Sequence, residues 1–285
     1  MINVEEYVRP QNLAEALEHL GDSGSVAIAG GTSLALSRNP AWTKVVDLSD
    51  IEEIDGITED GDKLHLGAMV TMSDILRYPG NIPCSIVAAA KSVSSTPIRN
   101  MATVGGSMVR GVYWSDLIVA LLALDAQVEL ATADETRVIS SSELYATHPS
   151  KVLKQGEIIT GVTVDMFKFR THFIKLARTK VDYAIMSTCA SIQISDGSIE
   201  QARITIGGAV NLATRLVEVE EMLAGQMPDG ELFKAAGVKA GNVASFRSDF
   251  RVNSEYQKSV TEKLVARALE NAFANCRCDE KGSAE

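Results

Sequence analysis

Apolar and polar positions follow two different periods along this chain. Residues 11–20, QNLAEALEHL, place Leu13, Ala16, Leu17 and Leu20 at helical spacing behind Pro10 and Asn12, which predicts a helix. Ser25 to Ala29 reads as a short buried strand running straight into Gly30-Gly31-Thr32. Val45 to Leu48 reads as another, so a strand–loop–helix–strand unit is expected over about 24–48. Lys63 to Gly67 alternates like a strand, and Thr71 to Tyr78 has the pattern of a short helix. The Ala-rich stretch 84–93, CSIVAAAKSV, predicts a helix that Pro97 must stop or follow. Ser115 to Leu124 predicts a buried helix with Ser115 as its N-cap. Val128 to Ala131 and Arg137 to Ile139 suggest a strand pair, and Glu157 to Val164 a further strand.

From about residue 170, β-branched residues take over. Thr171 to Ala177, Ala184 to Ile194 and Glu200 to Ile206 predict three strands, with Asp196-Gly197 as the hairpin turn between the last two. Leu216 to Leu223, ended by Gly225, and a long stretch from about Ser254 to Cys276 predict helices. The long one repeats Val260, Leu264, Ala268 and Ala272 every four residues. The expectation is a small three-stranded sheet backed by helices, with a boundary at 165–172.

Composition narrows the function classes. A chain of 285 residues with 46% hydrophobic and 22% charged residues belongs among soluble globular proteins and is long enough for two domains. Its longest apolar run, ending at Leu124, falls far short of the roughly 20 residues that span a bilayer. The opening MINVEEYVRP has no basic or apolar leader region, so a cytoplasmic location is expected. A net charge of −10 disfavours nucleic acid as a partner. Cys84, Cys189, Cys276 and Cys278 form no disulfide framework and suit a reducing compartment. Cys276-x-Cys278 lacks a second pair, and His19, His65, His148 and His172 stand apart, so no metal site is expected.

Two glycine-rich segments are the candidates for chemistry. The first is Ile28-Ala29-Gly30-Gly31-Thr32-Ser33-Leu34, and the second is Ile98-Arg99-Asn100-Met101-Ala102-Thr103-Val104-Gly105-Gly106-Ser107. Paired glycines permit positive φ and remove the Cβ, so backbone N–H groups can converge on an anion while Thr and Ser hydroxyls add neutral donors. Neither segment has the G-x-G-x-x-G of a Rossmann turn or the G-x-x-x-x-G-K-S/T of a nucleotide kinase. One Gly-Gly alone is most simply a tight turn; two together can grip one large cofactor from both sides. Asp116, at the first turn of an apolar helix, suits the helix dipole or a ribityl or ribose hydroxyl. Lys175 is either a surface lysine or a cation that stabilises an electron-rich reduced cofactor.

AGGTSL at 29–34, IRNMATVGGS at 98–107, SDLIVALLALDA at 115–126 and F-x-K-x-x-R at 173–178 closely resemble the FAD-binding medium subunit of molybdenum hydroxylases, the family of xanthine, carbon monoxide and nicotinate dehydrogenases. YAIMSTCASI, IEQARITIGGAV and the R-x-x-E-x-E-x-x-L-x-G of 215–225 extend the resemblance over almost the whole chain. It implies an α+β fold. A two-subdomain FAD-binding domain of the vanillyl-alcohol-oxidase type would occupy 1–168, with subdomains of about 1–55 and 56–168. A smaller α+β C-terminal domain would follow over 169–275, and 276–285 would be a flexible tail. In such a fold Ala27 to Leu34 wraps the pyrophosphate and Ala102 to Ser107 faces the flavin's other side. Asp116 lies near the ribityl or adenosine portion, Ile159 touches the cofactor through its backbone, and Lys175 lies near the flavin ring.

The family's scheme puts molybdopterin and the 2Fe-2S clusters on partner subunits. The molybdenum subunit oxidises substrate, and the iron–sulfur subunit passes electrons to FAD and on to NAD+ or another acceptor. This chain would then bind and tune the cofactor, with no catalytic acid or base of its own. A stand-alone flavin oxidoreductase and a scaffolding subunit without cofactor are the alternatives. Three departures stand out: Ser33 where the family has Asp, Ser107 where it has Asn, and Arg110-Gly111-Val112-Tyr113-Trp114 where it resembles N-A-x-P. Trp114 could stack near the isoalloxazine or pack on a partner subunit.

Overall fold

The computed structural model describes residues 4–34, 39 and 41–274. Cys276, Cys278 and the tail expected at 276–285 lie outside the described residues, as do positions 35–38, where a helix was expected to follow the first glycine pair. In chain order the elements begin β1 (Glu6–Val8), α1 (Leu13–Gly21), β2 (Ser25–Ile28), β3 (Lys44–Asp47), β4 (Ile57–Asp60), β5 (Lys63–Gly67) and α2 (Met72–Arg77). There follow α3 (Cys84–Ser92), α4 (Thr96–Arg99), α5 (Val104–Val109), α6 (Asp116–Ala123), β6 (Gln127–Ala131), β7 (Thr136–Ser140), α7 (Ser141–Leu144) and β8 (Ile158–Asp165). The last group is β9 (Arg170–Leu176), β10 (Met186–Ser195), β11 (Ser198–Gly207), β12 (Thr214–Arg215), α8 (Val217–Leu223), α9 (Gly230–Val243) and α10 (Ser254–Ala274).

These elements form two compact units, neither continuous in sequence. The first takes Met1–Gly80, Val93–Gly111 and Asp125–Val164; the second takes Asn81–Ser92, Val112–Leu124 and Asp165–Glu285, as far as their residues are described. In the first unit, β1 and β2 both pair in parallel with β3. Asn12 caps α1 by accepting the Glu15 N–H at 2.9 Å. The helix then buries Ala16, Leu17 and Leu20 in a core with Val46, Leu48, Ile51, Ile54 and Ile158. A five-stranded sheet, β4-β5-β8-β6-β7, completes this unit. Its strands alternate: Leu64, Leu66, Val128, Leu130, Val162 and Val164 are buried, while Lys63, His65, Glu129 and Thr163 face outward. Arg137 grips both carboxylate oxygens of buried Glu157 at 2.8 Å, which holds that carboxyl below its ordinary pKa.

The second unit is built on the antiparallel order β12-β11-β10-β9. Asp196 (φ 50°) and Gly197 (φ 79°) make the expected tight turn between β10 and β11. Every residue of α6 is buried, the apolar run Leu117–Ala123 and the charged Asp116 alike, and Thr205 on β11 donates its hydroxyl to Val119 O at 2.6 Å. α8, α9 and α10 cover a core of Ile192, Ile204, Val219, Phe233, Val265 and Leu269.

Some features differ from the sequence pattern. The sheet gains a fourth strand, the two-residue β12, too short to leave a period. Ser115 takes the N-cap position of α6 without a side-chain capping bond. The whole of α9, which carries Gly237 and Gly241, was not expected from the sequence. A Cβ at Gly237 would overlap the Glu262 carbonyl of α10, so the glycine is there to let two helices approach closely.

Candidate functional site

The first glycine segment leaves the end of β2. Ala27 and Ile28 pair with Val46 and Asp47 of β3, and Leu48 N–H donates to Ile28 O at 2.9 Å. The chain then turns through Gly31, whose φ of 68° is the left-handed region that glycine enters freely. Gly30 lies flat against the backbone of Met101, and a Cβ there would overlap the Met101 carbonyl. That contact brings the two segments together, since Met101 immediately precedes Ala102. Among the described residues the N–H groups of Gly31, Thr32 and Ser33 make no backbone hydrogen bond, and all three residues are half-exposed. Unpaired N–H groups on one turn are what an anion needs.

The second segment differs in kind. Residues 104–109 are helical, and the Thr103 hydroxyl caps them by accepting the Gly106 N–H at 3.2 Å. Val104 N–H donates to Val70 O, Gly105 N–H to Ala68 O and Ser107 N–H to Thr103 O, each at 2.9 Å. The N–H groups of Val104 to Ser107 are therefore engaged within the chain. What the glycines supply here is the missing Cβ: at Gly105 it would press on the Ala68 side chain, and at Gly106 on the Thr103 hydroxyl. Ala68 N–H in turn donates to Thr160 O, next to buried Ile159 on β8, so Ile159 is tied to the second segment through Ala68.

Asp116 and Lys175 lie on the second unit and meet each other. Lys175 Nζ is 2.8 Å from Asp116 Oδ2 and 3.0 Å from Ser92 O, while the Ser92 hydroxyl donates to the same Oδ2 at 2.9 Å. Burial pushes the Asp116 carboxyl pKa up against the opposing pull of Lys175 and of the Ser92 and Ser187 hydroxyls. Its Oδ1 is buried with no hydrogen-bond partner. Lys175, expected on the surface or facing a cofactor, thus has its charge held by a carboxylate. Trp114 stacks on Tyr183 (centroids 4.8 Å apart) and meets Tyr113 edge-on at 4.6 Å, with the Arg247 guanidinium 3.8 Å above the Tyr113 ring.

Ser92, Ala68 and the part played by the Met101 carbonyl were not foreseen. All three act through backbone carbonyls, which leave no mark on sequence, and Ser92 ends an ordinary Ala-rich helix. An open cleft of about 490 Å3 on the first unit, lined by Glu52, Asp55, Asp74, Arg77 and Tyr78 among others, contains none of the expected site residues. Among the described residues no cluster of His, Cys, Asp or Glu is placed to hold a metal ion, and no helix is long and apolar enough to cross a membrane.

The first turn fits the diphosphate of a flavin nucleotide, with three N–H groups that are unpaired among the described residues. The comparisons with known proteins agree. The model of the FAD-binding domain in molybdopterin dehydrogenase matches residues 2–165, and that of the CO dehydrogenase flavoprotein C-terminal domain matches residues 171–272. The nicotine 6-hydroxylase medium subunit of Paenarthrobacter nicotinovorans is 29% identical, over 94% of this chain and 97% of that one. The carbon monoxide dehydrogenase medium chain of Hydrogenophaga pseudoflava is 26% identical, over 95% of this chain and 98% of that one. A solved structure of carbon monoxide dehydrogenase from Hydrogenophaga pseudoflava, lacking the Mo-pyranopterin moiety of its molybdenum cofactor, superposes with a TM-score of 0.89 at 25% identity, covering 97% of this chain and 100% of that one. The chain belongs to the FAD-binding subunits of the molybdenum hydroxylase family and is the flavoprotein component of an oxidoreductase.

Proposed function

We propose that this chain receives electrons from the iron–sulfur clusters of a partner subunit and delivers them, through FAD, to NAD+ or another acceptor, in a cytoplasmic complex whose molybdenum subunit oxidises the substrate. When bound, FAD supplies the step between one-electron clusters and a two-electron acceptor. The chain's own work is to bind, orient and tune. Ala27, Ile28, Ala29, Gly30, Gly31, Thr32, Ser33 and Leu34 hold the diphosphate, chiefly through the N–H groups of Gly31 to Ser33. Ala102, Thr103, Val104, Gly105, Gly106 and Ser107 form a wall from which the glycines remove side chains, and Ile159 backs that wall. Asp116 offers Oδ1 to a ribityl or adenosine hydroxyl. Lys175, fixed by Asp116 and the Ser92 carbonyl, sets the electrostatics toward the flavin ring. In this assignment 1–168 carries the FAD-binding role in sequence and 169–275 the C-terminal domain.

The observation that supports this most is the first turn, with three N–H groups unpaired among the described residues and a floor made by Met101. Titrating the flavin-free chain with FAD tests it. Gly31→Val strains a left-handed residue, and Gly106→Val drives a side chain into the Thr103 cap. Both variants should lose FAD retention while keeping the far-UV circular dichroism of the folded chain. Retention equal to wild type in both would remove the assignment.

A further inference from the structure

Three N–H groups on one turn meet an anion well only if the turn is held in one place beforehand, because ordering it at the moment of binding costs affinity. On its strand side the first glycine turn is held by the β2–β3 ladder, which reaches Ile28 and Asp47, and by the Leu48 N–H on Ile28 O. On its other side it rests on the Met101 peptide. A Cβ on Gly30 would overlap both the carbon and the oxygen of that carbonyl, so the Gly30 Cα lies directly against it. The place of the turn therefore depends on what fixes Met101.

Residues 100–105 are laced to residues 68–73 of the same compact unit. Gly105 N–H donates to Ala68 O and Val104 N–H to Val70 O, each at 2.9 Å, and Met72 N–H donates to Ala102 O at 3.0 Å. Thr71 and Thr103 form an antiparallel bridge between them. Past Met101 the lacing continues through side chains: the Ser73 hydroxyl donates to Asn100 Oδ1. Met101 thus lies between two ties, Ala102 held by backbone and Asn100 held by Ser73.

Ser73 is itself on a fixed support. It is buried, 4% exposed, at the second residue of α2. Thr71 and Asp74 cap the start of that helix reciprocally, with Asp74 N–H on Thr71 Oγ1 at 3.1 Å and Thr71 N–H on Asp74 Oδ2 at 3.0 Å. The Ser73–Asn100 bond is also separable from the backbone lacing. Removing either side chain leaves the backbone bonds of 102–105 in place, together with those from Met101 and Ala102 N–H to Ile98 O at 3.1 and 2.8 Å.

We propose that Ser73, acting through Asn100, positions the Met101 carbonyl and with it the turn that binds the diphosphate of FAD. Ser73 is a positioning residue, outside both glycine segments. This rests on the FAD reading above and extends it to α2. With the bond gone, the Met101 floor gains freedom and the turn above it is less well ordered before FAD arrives.

The test uses the full chain, stripped of flavin and titrated with FAD. Ser73→Ala and Asn100→Ala should each weaken FAD binding about three- to tenfold, the range of one neutral hydrogen bond. The double variant should bind as each single variant does, since both changes remove the same bond. Asn100 is exposed, so Asn100→Ala carries the test should Ser73→Ala not fold. Phosphorus NMR of bound FAD gives the readout that a merely structural bond would not move. The diphosphate resonances should shift or broaden in the variants while the visible flavin bands stay as in wild type. Wild-type affinity in the single variants would overturn the proposal. So would weaker binding with wild-type phosphorus resonances, or losses that add in the double variant, which would mean that the two residues act separately. A wild-type chain that takes up no FAD would instead defeat the FAD reading, and the proposal with it.

Discussion

At the scale of single residues, four glycines of the site answer to four different demands. Gly31 is required by its backbone angle, Gly30 by the Met101 carbonyl, Gly105 by Ala68 and Gly106 by the Thr103 cap. Gly30→Ala should therefore be the harshest alanine change, destabilising by about 1–3 kcal/mol through overpacking against backbone that cannot rotate away. Gly31→Ala should cost about 1–2 kcal/mol from the left-handed conformation alone. Urea unfolding of both variants checks the order. A second residue-scale prediction concerns acid. Arg251 donates to Asp249 through Nε at 3.0 Å and Nη2 at 2.5 Å, and this pairing holds the Asp249 carboxyl at about 2 despite its burial. A folded-state value depressed below the unfolded one gives stability that is present above pH 4 and lost as pH falls toward 2. The shift corresponds to about 2 kcal/mol at neutral pH. Asp249→Asn should lose that amount at pH 7 and converge with wild type near pH 2, as followed by urea unfolding across pH.

At the scale of elements, what could be read from sequence was whatever carried a long period or a strong punctuation mark. α1 was legible from its leucines and Asn12, β10 and β11 from their β-branched runs and Asp196-Gly197, and α6 from apolar residues on every face. The first glycine segment was legible because a buried strand runs directly into it. The second was legible as a motif but not as a helix, since a six-residue helix is too short to show a period and its cap is a lone Thr. α9 was hidden by the glycines that let it pack. Gly237→Val tests that explanation: a side chain at the Glu262 carbonyl should force α9 off α10 and lower stability by about 1–3 kcal/mol or more. Loss of slowly exchanging amides confined to these two helices would be the signature. An unchanged exchange pattern would mean the close approach is incidental.

At the scale of the whole molecule, net charge argued against nucleic acid as a partner and motif order named the family, yet neither showed how the site residues are distributed. Ala27–Leu34, Ala102–Ser107 and Ile159 are linked on one compact unit; Asp116 and Lys175 are joined as a buried pair on the other. The linking atoms, Met101 O, Ala68 N–H and O, and Ser92 O, belong to backbone and are silent in sequence.

The central claim is that this chain by itself holds FAD through the first glycine turn. It is tested most directly by incubating the purified full chain with FAD, removing unbound flavin by gel filtration, and measuring the flavin-to-protein ratio. We expect about one FAD per chain for wild type, with Gly31→Val and Gly106→Val folded but nearly colourless. A folded wild-type chain that emerges without flavin, or variants as yellow as wild type, would contradict it.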